Sequence, residues 1–393
     1  MKKLSFEDLA LKDTIQEVIQ QLHFKQPTII QQKAIPEILT GKSVVAKSFT
    51  GSGKTHSYLL PIFEKINENL NTVQFVITAP TRELCNQIYR EVRKIIKLAD
   101  KEDKWLAKML IGGTEKQLKE NIERLPHIIV GTPKRILDLI NDQVLSIYTA
   151  ETFVIDEADL MVDLGFIEDI DQLLIRCKRD IQVLAFSATI PVQLQHFFNK
   201  YLKRPLYISV EDQLFPPTLE HRLIALKHRN PADLITQLSE VFNPYLALIF
   251  TNGKDEADEL FRSLQRTGLN VGYIHGGLTP RERKRVLKDI DQLRYQYIVA
   301  TDLASRGIDI EGISHVINAQ MPKEEHFYVH RVGRTARAGL SGTAISFYDE
   351  KDLPLIHALE RKKVQFQYVD IRNNEWIEAR PIDSRNKRRR GKK

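Results

Sequence analysis

The feature that most constrains the fold is a glycine-rich loop that directly follows a short apolar run. Residues 43–46 (Ser-Val-Val-Ala) have the pattern of a strand, and residues 48–55 (Ser-Phe-Thr-Gly-Ser-Gly-Lys-Thr) follow them. Glycines let backbone N–H groups close on phosphate oxygens, while Lys54 can reach the β- and γ-phosphates and Thr55 can offer a hydroxyl to Mg²⁺. The loop predicts a nucleotide-binding α/β domain. A Gly-Lys-Thr turn alone is common, so the assignment needs a second element.

That element is an acidic tetrapeptide, Asp-Glu-Ala-Asp, which occurs twice. Residues 156–159 follow the apolar run 153–155, so two carboxylates stand at the end of a buried strand. There, one can hold a hard cation and the other can orient a water molecule. Residues 255–258 repeat the letters before a helical apolar period, as the acidic first turn of a helix that suits the helix dipole. We therefore predict chemistry at the first copy only.

Apolar runs alternate with helical periods between residues 30 and 210, which predicts parallel β/α architecture. Residues 210–218 interrupt both patterns because paired prolines stop helix and sheet alike. A second α/β series follows without a phosphate loop, so we expect it to complete a ligand site begun by the first domain. The predicted limits are a nucleotide-binding domain at 1–210, a linker at 211–218, a second domain at 219–370 and a basic tail at 371–393.

The positive charge is concentrated at the carboxyl end. The net charge of +7 comes from 58 basic and 51 acidic side chains. Residues 385–393 hold seven basic side chains and no acid, so the remaining residues balance to zero. We expect the tail to be a disordered arm that binds phosphates, with a merely solubilising charge run as the alternative.

Composition also indicates a location. No apolar run approaches the roughly 18 residues of a membrane span, and the first eight residues lack the apolar core of a secretory signal. The two cysteines, Cys85 and Cys177, do not have the spacing of metal ligands. We expect a soluble, monomeric protein of the reduced cytoplasm with no membrane partner.

Taken in order, these and several further segments resemble those of the DEAD-box RNA helicases, whose members have two tandem RecA-like domains. The resemblance spans nearly the whole chain. It implies parallel sheets flanked by helices, with ATP and RNA bound across the interdomain cleft. The small size and basic tail resemble the minimal bacterial, cold-shock type, which implies ribosomal precursors or RNA-decay assemblies as partners.

The resemblance assigns nucleotide-binding and catalytic roles. Residues 24–31 resemble the adenine-reading motif, in which Phe24 stacks on the base and the amide of Gln31 both donates and accepts at its edge. Further nucleotide contacts fall to Thr50, Gly51, Ser52, Gly53, Lys54, Thr55 and Asp309. The implied catalytic and metal roles are phosphate binding by Lys54, Mg²⁺ binding by Thr55 and by Asp156 through water, water positioning by Glu157, and charge stabilisation by Arg334 and Arg337.

The resemblance also assigns RNA contacts. They fall to Pro80, Thr81, Arg82, Gly113, Thr132, Pro133 and Arg135 in the first domain and to Thr251, Gly277, Arg283 and Thr301 in the second. Helix N-termini, glycines and short polar groups suit phosphate and ribose contacts and read no base edge, so little sequence preference is expected. Ser187, Thr189 and His330 are implied to couple the domains. The three-residue spacing of the arginines in residues 331–337 predicts that they share one helical face.

The chain departs from the family pattern at five positions. His23 and Ala336 replace glycines, Ser48 replaces an alanine, Lys134 replaces a glycine, and Pro280 replaces a glutamine. At Lys134 we expect a restricted backbone bend together with stronger phosphate binding.

The sequence therefore predicts an RNA-dependent ATPase that locally unwinds short RNA duplexes or remodels RNA–protein complexes. The alternative from another class is an ATP-gated RNA clamp or assembly scaffold with negligible unwinding. A DNA translocase is a further alternative, which a requirement for the 2′-hydroxyl would exclude. A P-loop kinase fits least well because the arginine segment would then lack a purpose.

Overall fold

The computed structural model describes residues 4–49, 51–112, 124–202, 204–210, 215–302, 310, 312–336 and 340–382 of the 393-residue chain. The chain divides into two compact units, Met1–Glu211 and Asp212–Lys393. Short 3-10 helices lie at Glu7–Leu9 in the first unit and at Glu350–Asp352 in the second.

The first unit is built on a parallel sheet. Its strands are β1 (Val44–Lys47), β2 (Phe75–Thr78), β3 (Ala107–Leu110), β4 (Ile128–Gly131), β5 (Thr152–Asp156), β6 (Gln182–Ser187) and β7 (Leu206–Ser209). Among the described residues they form one seven-stranded sheet in the order β3-β4-β2-β5-β6-β1-β7. Every neighbouring pair is parallel, so the carboxyl ends of all these strands meet at one edge.

Helices cover both faces of this sheet. They are α1 (Asp13–Gln21), α2 (Ile29–Leu39), α3 (Lys54–Lys65), α4 (Arg82–Leu98), α5 (Pro133–Asn141), α6 (Ala158–Asp163), α7 (Ile167–Ile175) and α8 (Val192–Tyr201). Side chains alternate between the faces of a strand, which separates two apolar cores. In β2, Phe75 and Ile77 enter the core formed with α1–α4, whereas Val76 enters the core formed with α5–α8.

The second unit repeats the α/β pattern with an added hairpin. Its strands are β8 (Leu219–Ala225), β9 (Ala247–Thr251), β10 (Val271–Ile274), β11 (Tyr297–Thr301), β12 (His315–Asn318), β13 (Gly342–Tyr348), β14 (Phe366–Arg372) and β15 (Glu375–Glu378). In the described part of the unit they form one eight-stranded sheet in the order β10-β11-β9-β12-β13-β8-β14-β15. Only the pair β14–β15 is antiparallel.

The described helices of the second unit are α9 (Pro231–Val241), α10 (Lys254–Arg266), α11 (Pro280–Asp291), α12 (Glu325–Val332) and α13 (Leu353–Arg361). The α9 and α10 helices bury Leu238 and Leu260 against Ile249 of β9 in a common core. The helical apolar period predicted after the second tetrapeptide is therefore confirmed in α10, where it supplies one apolar face to the sheet.

The α/β architecture with parallel sheets is confirmed. The predicted end of the second domain at residue 370 needs correction, because that residue lies inside β14 and the hairpin continues to Glu378. No strand was predicted there because the hairpin alternates polar and apolar side chains only briefly. In the predicted linker, residues 211–214 lie outside the described residues, and β8 begins at Leu219. Of the predicted tail, residues 383–393 likewise lie outside them.

Candidate functional site

The phosphate loop lies between β1 and α3. Gly51 and Gly53 have φ angles of +83° and +92°, which favour glycine. A Cβ added at Gly53 would lie 2.7 Å from Nε2 of Gln31, so a larger residue would also collide there. Because α3 begins at the buried Lys54, the N–H groups of its first turn face the loop and can bind an anion.

Gln31 connects the predicted adenine-reading segment to this loop. It is buried in the first turn of α2, where Nε2 donates to the carbonyl of Gly53 (3.2 Å) and Oε1 accepts from the N–H of Thr28 (2.9 Å). The Phe24 ring stacks near Phe6, with 6.2 Å between ring centroids. The structure thus brings Gln31 to the phosphate loop and places Phe24 in an aromatic pair.

The two carboxylates of the first tetrapeptide lie beside the phosphate loop. Asp156 ends β5 and accepts a hydrogen bond from the hydroxyl of Tyr58 (2.9 Å). Glu157 follows with a left-handed φ of +50°, and its Oε1 lies 3.4 Å from Nζ of Lys54. Its other oxygen, Oε2, is buried without a hydrogen-bond partner among the described residues. Two carboxylates therefore face one ammonium group, which leaves excess negative charge at the strand end.

Burial changes the acid–base properties of this pair. It raises the pKa of the Asp156 carboxyl to about 6, and the neighbouring Glu157 carboxylate adds to the rise. Lys54 opposes the rise in the pKa of Asp156. Burial also raises the pKa of Tyr58 well above its usual value, and the charge of Asp156 acts in the same direction. Tyr58 therefore stays a neutral hydroxyl donor that orients Asp156, a role that the sequence analysis missed.

The last acid of the first tetrapeptide binds the Ser187 segment. Oδ2 of Asp159 accepts from both the N–H (2.9 Å) and the hydroxyl (2.8 Å) of Thr189. The hydroxyl of Ser187 accepts from the N–H of Asp159 (3.0 Å). The predicted coupling residues Ser187 and Thr189 thus contact the acidic strand end directly.

The predicted RNA residues of the first unit lie at the same edge of the sheet, after the neighbouring strands β2, β3 and β4. Thr81 begins α4 and its side chain accepts from the N–H of Leu84 (3.2 Å). Arg82 lies over Gly112, where a Cβ would come within 2.6 Å of its guanidinium group. Thr132 and Pro133 begin α5 after β4, which pairs with both β2 and β3. Pro80 precedes α4, and Arg135 is half-buried in α5.

In the second unit, the predicted RNA residues follow three adjacent strands. Thr251 and Thr301 are register partners at the ends of β9 and β11, and both are buried. Gly277 lies just beyond β10, and α11 carries the half-buried Arg283. These residues therefore share one edge of the sheet.

The arginine segment differs from its predicted geometry. The α12 helix ends at Val332, so Arg334 lies in the turn that follows it and the expectation of one helical face is wrong. Arg331 instead points into the protein and is 1% exposed. Its guanidinium group donates to both Asp302 oxygens (2.6 and 2.7 Å) and to Oδ1 of Asn252 (2.7 Å). This buried arginine joins the segments after β9 and β11 to α12, which the sequence analysis did not foresee.

Comparison with known proteins decides the family. A DEAD/DEAH box helicase domain matches residues 28–197, and a helicase conserved C-terminal domain matches residues 231–339. The whole chain is 47% identical to DEAD-box ATP-dependent RNA helicase CshB of Bacillus cereus and covers 90% of it. It is also 47% identical to CshB of Bacillus subtilis, of which it covers 89%. The chain belongs to the DEAD-box ATP-dependent RNA helicases.

Solved structures of DEAD-box helicases confirm the two RecA-like domains. Saccharomyces cerevisiae Dbp5 bound to RNA and ADP BeF3 is 26% identical, with a TM-score of 0.81 over 93% of this chain and 95% of that chain. Mss116p bound to ssRNA and AMP-PNP is 27% identical, with a TM-score of 0.81 over 94% of this chain and 80% of that chain.

The departures from the DEAD-box pattern now have a structural setting. His23 and Ala336 keep left-handed φ angles of +58° and +54° although the glycine is absent. Lys134 is an exposed residue in the first turn of α5, so the expected restriction of a bend is wrong, because a helix needs no glycine there. Pro280 is the first residue of α11, where a backbone N–H would have no partner within the helix, so proline loses no hydrogen bond there. The hydroxyl of Ser48 is buried without a partner among the described residues.

Several predicted DEAD-box site residues lie outside the described residues, namely Thr50, Gly113, Asp309 and Arg337. His330 is buried in the last turn of α12. In the described part of the chain, no helix combines the length and apolar character that crossing a membrane requires.

Proposed function

We propose that this chain is an RNA-stimulated ATPase that locally unwinds short RNA duplexes or remodels RNA–protein complexes. The observation that carries the proposal is the juxtaposition of Lys54 with Glu157 at the phosphate loop, with Asp156 fixed beside them by Tyr58. A lysine for phosphate, a carboxylate for Mg²⁺ and a second carboxylate for water are the parts that phosphoryl transfer needs.

The residues beside the loop fit a nucleotide with Mg²⁺. The buried Oε2 of Glu157 and the buried hydroxyl of Ser52 have no partner among the described residues. The carboxylate oxygen can accept a hydrogen bond from a bound group or its water, and the hydroxyl can either accept or donate one. Mg²⁺ neutralises charge on the phosphates when it is bound, and Thr55 with Asp156 would hold it, the latter through water.

Within the proposed reaction, each residue has one task. The N–H groups of Gly51, Ser52 and Gly53 bind phosphate oxygens, together with Thr50. Lys54 holds the β- and γ-phosphates, and Glu157 orients the water that attacks the γ-phosphorus. The adenine is bound by Phe24 and Gln31, and Asp309 faces the ribose or γ-phosphate. Arg334 and Arg337 stabilise the charge that develops on the γ-phosphate.

RNA is proposed to bind through its backbone. The candidates are the edge residues Pro80, Thr81, Arg82, Gly113, Thr132, Pro133, Arg135, Thr251, Gly277, Arg283 and Thr301. Hydroxyl groups, helix N-termini and guanidinium groups contact phosphate and ribose, so little sequence preference follows. Ser187, Thr189 and His330 are proposed to make hydrolysis depend on RNA. We further propose a cytoplasmic monomer that acts on ribosomal precursors or RNA-decay assemblies.

The test is the rate of ATP hydrolysis without nucleic acid, with single-stranded RNA and with DNA of the same sequence. We expect stimulation by RNA alone and a loss of about 100-fold or more in Glu157→Gln, which keeps the shape but not the charge of the water-positioning group. Glu256→Gln is the matched control, because it makes the same change in the second tetrapeptide, where the residue is exposed in the first turn of α10.

Each other outcome points elsewhere. Equal stimulation by DNA would indicate a general translocase, and no stimulation would refute the proposed dependence on RNA. Equal losses in Glu157→Gln and Glu256→Gln would contradict the assignment of chemistry to the first tetrapeptide.

A further inference from the structure

The second Asp-Glu-Ala-Asp tetrapeptide, for which the sequence predicted only a helix start, contacts a functional segment. Asp258 lies at the start of the second turn of α10, and its Oδ1 is 3.0 Å from Nε2 of His275. His275 directly follows β10 and is 4% exposed, whereas the Asp258 side chain is 31% exposed, so the histidine side of the contact is shielded from solvent. A hydrogen bond to a carboxylate is stronger than one between two neutral groups.

A second hydrogen bond fixes the state of the His275 ring. The N–H of Gly277 donates to Nδ1 of His275 (3.0 Å), so Nδ1 acts as an acceptor. The proton of the neutral ring must then be on Nε2, where it is donated to Asp258. The ring also stacks on Tyr273, with 5.3 Å between centroids and 28° between planes. One imidazole thus links α10 to the backbone of the turn at residues 275–277.

Lys254, at the start of α10, lies close to the same turn. A Cβ added at Gly277 would lie 2.7 Å from Cε and 2.9 Å from Nζ of Lys254. The turn leads into α11, where the hydroxyl of Thr279 accepts from the N–H of Glu282 and the Glu282 carboxylate accepts from Thr279. Arg283 is the next residue along this helix. The position of the turn therefore determines where both Gly277 and Arg283 lie.

We propose that Asp258 is a positioning residue for RNA binding, which acts by orienting His275 and, through it, the turn that contains Gly277. The inference rests on the RNA contacts proposed above for Gly277 and Arg283. Asp258 itself touches no RNA. Without its carboxylate, the ring loses the acceptor for Nε2–H, the proton can move to Nδ1, and the hydrogen bond from Gly277 is lost.

Three variants of the full chain test this. Asp258→Ala removes the acceptor, Asp258→Asn retains an amide oxygen that can accept from Nε2–H, and Asp255→Ala removes an equal charge from the same tetrapeptide. Asp255 is exposed and has no hydrogen bond or ion pair among the described contacts of the chain. The measurement is the concentration of single-stranded RNA that gives half-maximal stimulation of ATP hydrolysis.

We expect Asp258→Ala to raise this concentration about tenfold, the effect of one hydrogen bond to a charged group. Asp258→Asn should stay within about twofold of the wild-type value because its acceptor remains, and Asp255→Ala should do the same. In protein labelled with ¹⁵N at histidine, we expect the His275 ring to be the Nε2–H tautomer in the wild type and in Asp258→Asn, and a tautomer mixture in Asp258→Ala.

The outcomes separate this inference from the function on which it rests. A wild-type chain that RNA stimulates, with Asp258→Ala equal to Asp255→Ala, overturns the inference alone. Equal losses in Asp258→Ala and Asp258→Asn with an unchanged tautomer also overturn it, because hydrogen bonding would then not be the cause. A wild-type chain that RNA does not stimulate overturns both.

Discussion

At the scale of single residues, some backbone positions that favour glycine are occupied by other residues. His23 lies two residues after the end of α1 and occupies the left-handed region, with a φ of +58°. Its N–H donates to the carbonyl of Gln20, and the N–H of Phe24 donates to that of Ile19. This is the hydrogen-bond pattern of a Schellman motif, whose left-handed position favours glycine. The turn that precedes Phe24 therefore forms, although the glycine of the family pattern is absent.

We therefore predict that His23→Gly stabilises the chain by about 1 kcal/mol, because a Cβ in the left-handed region costs about 1–2 kcal/mol and glycine loses part of that gain to chain entropy. The measurement is the free energy of unfolding in urea, followed by circular dichroism. Ala99→Gly is the control, since Ala99 follows α4 with a right-handed φ of −83° and should lose stability. A His23→Gly variant less stable than the wild type would contradict the argument.

Sequence reasoning reached the residues whose signal is local. Lys54 and Glu157 were predicted because a glycine-rich loop and an acidic strand end can each be recognised from a few consecutive residues. Tyr58 was missed because its partner Asp156 lies 98 residues away, and Arg331 because its role depends on complete burial. Long-range hydrogen bonds leave no periodic pattern in the chain.

At the scale of elements, position in the sheet decided which strands could be predicted. The buried strands β5, β9 and β11 are apolar on both faces, so their sequences are continuous apolar runs. The β8 strand alternates exposed and buried residues at its start and has charged side chains, so it gave no such run. The two Asp-Glu-Ala-Asp copies make the same point, since one begins at the last residue of β5 and the other lies in the first two turns of α10.

The β8 strand also provides a test of stability against pH. Its His221 is buried against Phe215, Tyr328 and Phe366, and burial lowers the pKa of this imidazole to about 4. In the unfolded chain the imidazole takes up a proton below its usual pKa of about 6.5. Protons therefore favour the unfolded state, and the second unit should lose about 3 kcal/mol between pH 6.5 and pH 4 through this residue.

We predict that His221→Gln is less dependent on pH than the wild type over this range, whatever its stability at pH 7. Urea unfolding at pH 7 and pH 4.5 would be followed by the fluorescence of Trp376 in a Trp105→Phe background, which restricts the signal to the second unit. His357→Gln, at an exposed site on α13, should retain the wild-type dependence. Equal pH dependence in all three proteins would show that His221 does not carry the effect.

At the scale of the whole molecule, charge is distributed unevenly. Seven of the 58 basic side chains lie in the last nine residues, and the others balance the 51 acids. Residues 1–384 therefore have no net charge, so the RNA binding proposed for the two units depends on local groups such as the helix N-termini and arginines at the sheet edges. The α/β order of the two units was predictable because strands and helices alternate along the chain. The end of the second unit was not, because the hairpin β14–β15 is short and partly polar.

The carboxyl-terminal charge leads to the last prediction. Truncation after Asp383 removes seven positive charges and takes the net charge from +7 to zero. We expect weaker binding of single-stranded RNA and a flatter plot of log affinity against log salt concentration, because each neutralised phosphate contributes about 0.7 to the slope. A full-length variant with the seven basic residues changed to glutamine separates charge from length, and it should behave like the truncation. An unchanged slope in both proteins would show that the charges only confer solubility, whereas a change in the truncation alone would assign the effect to chain length.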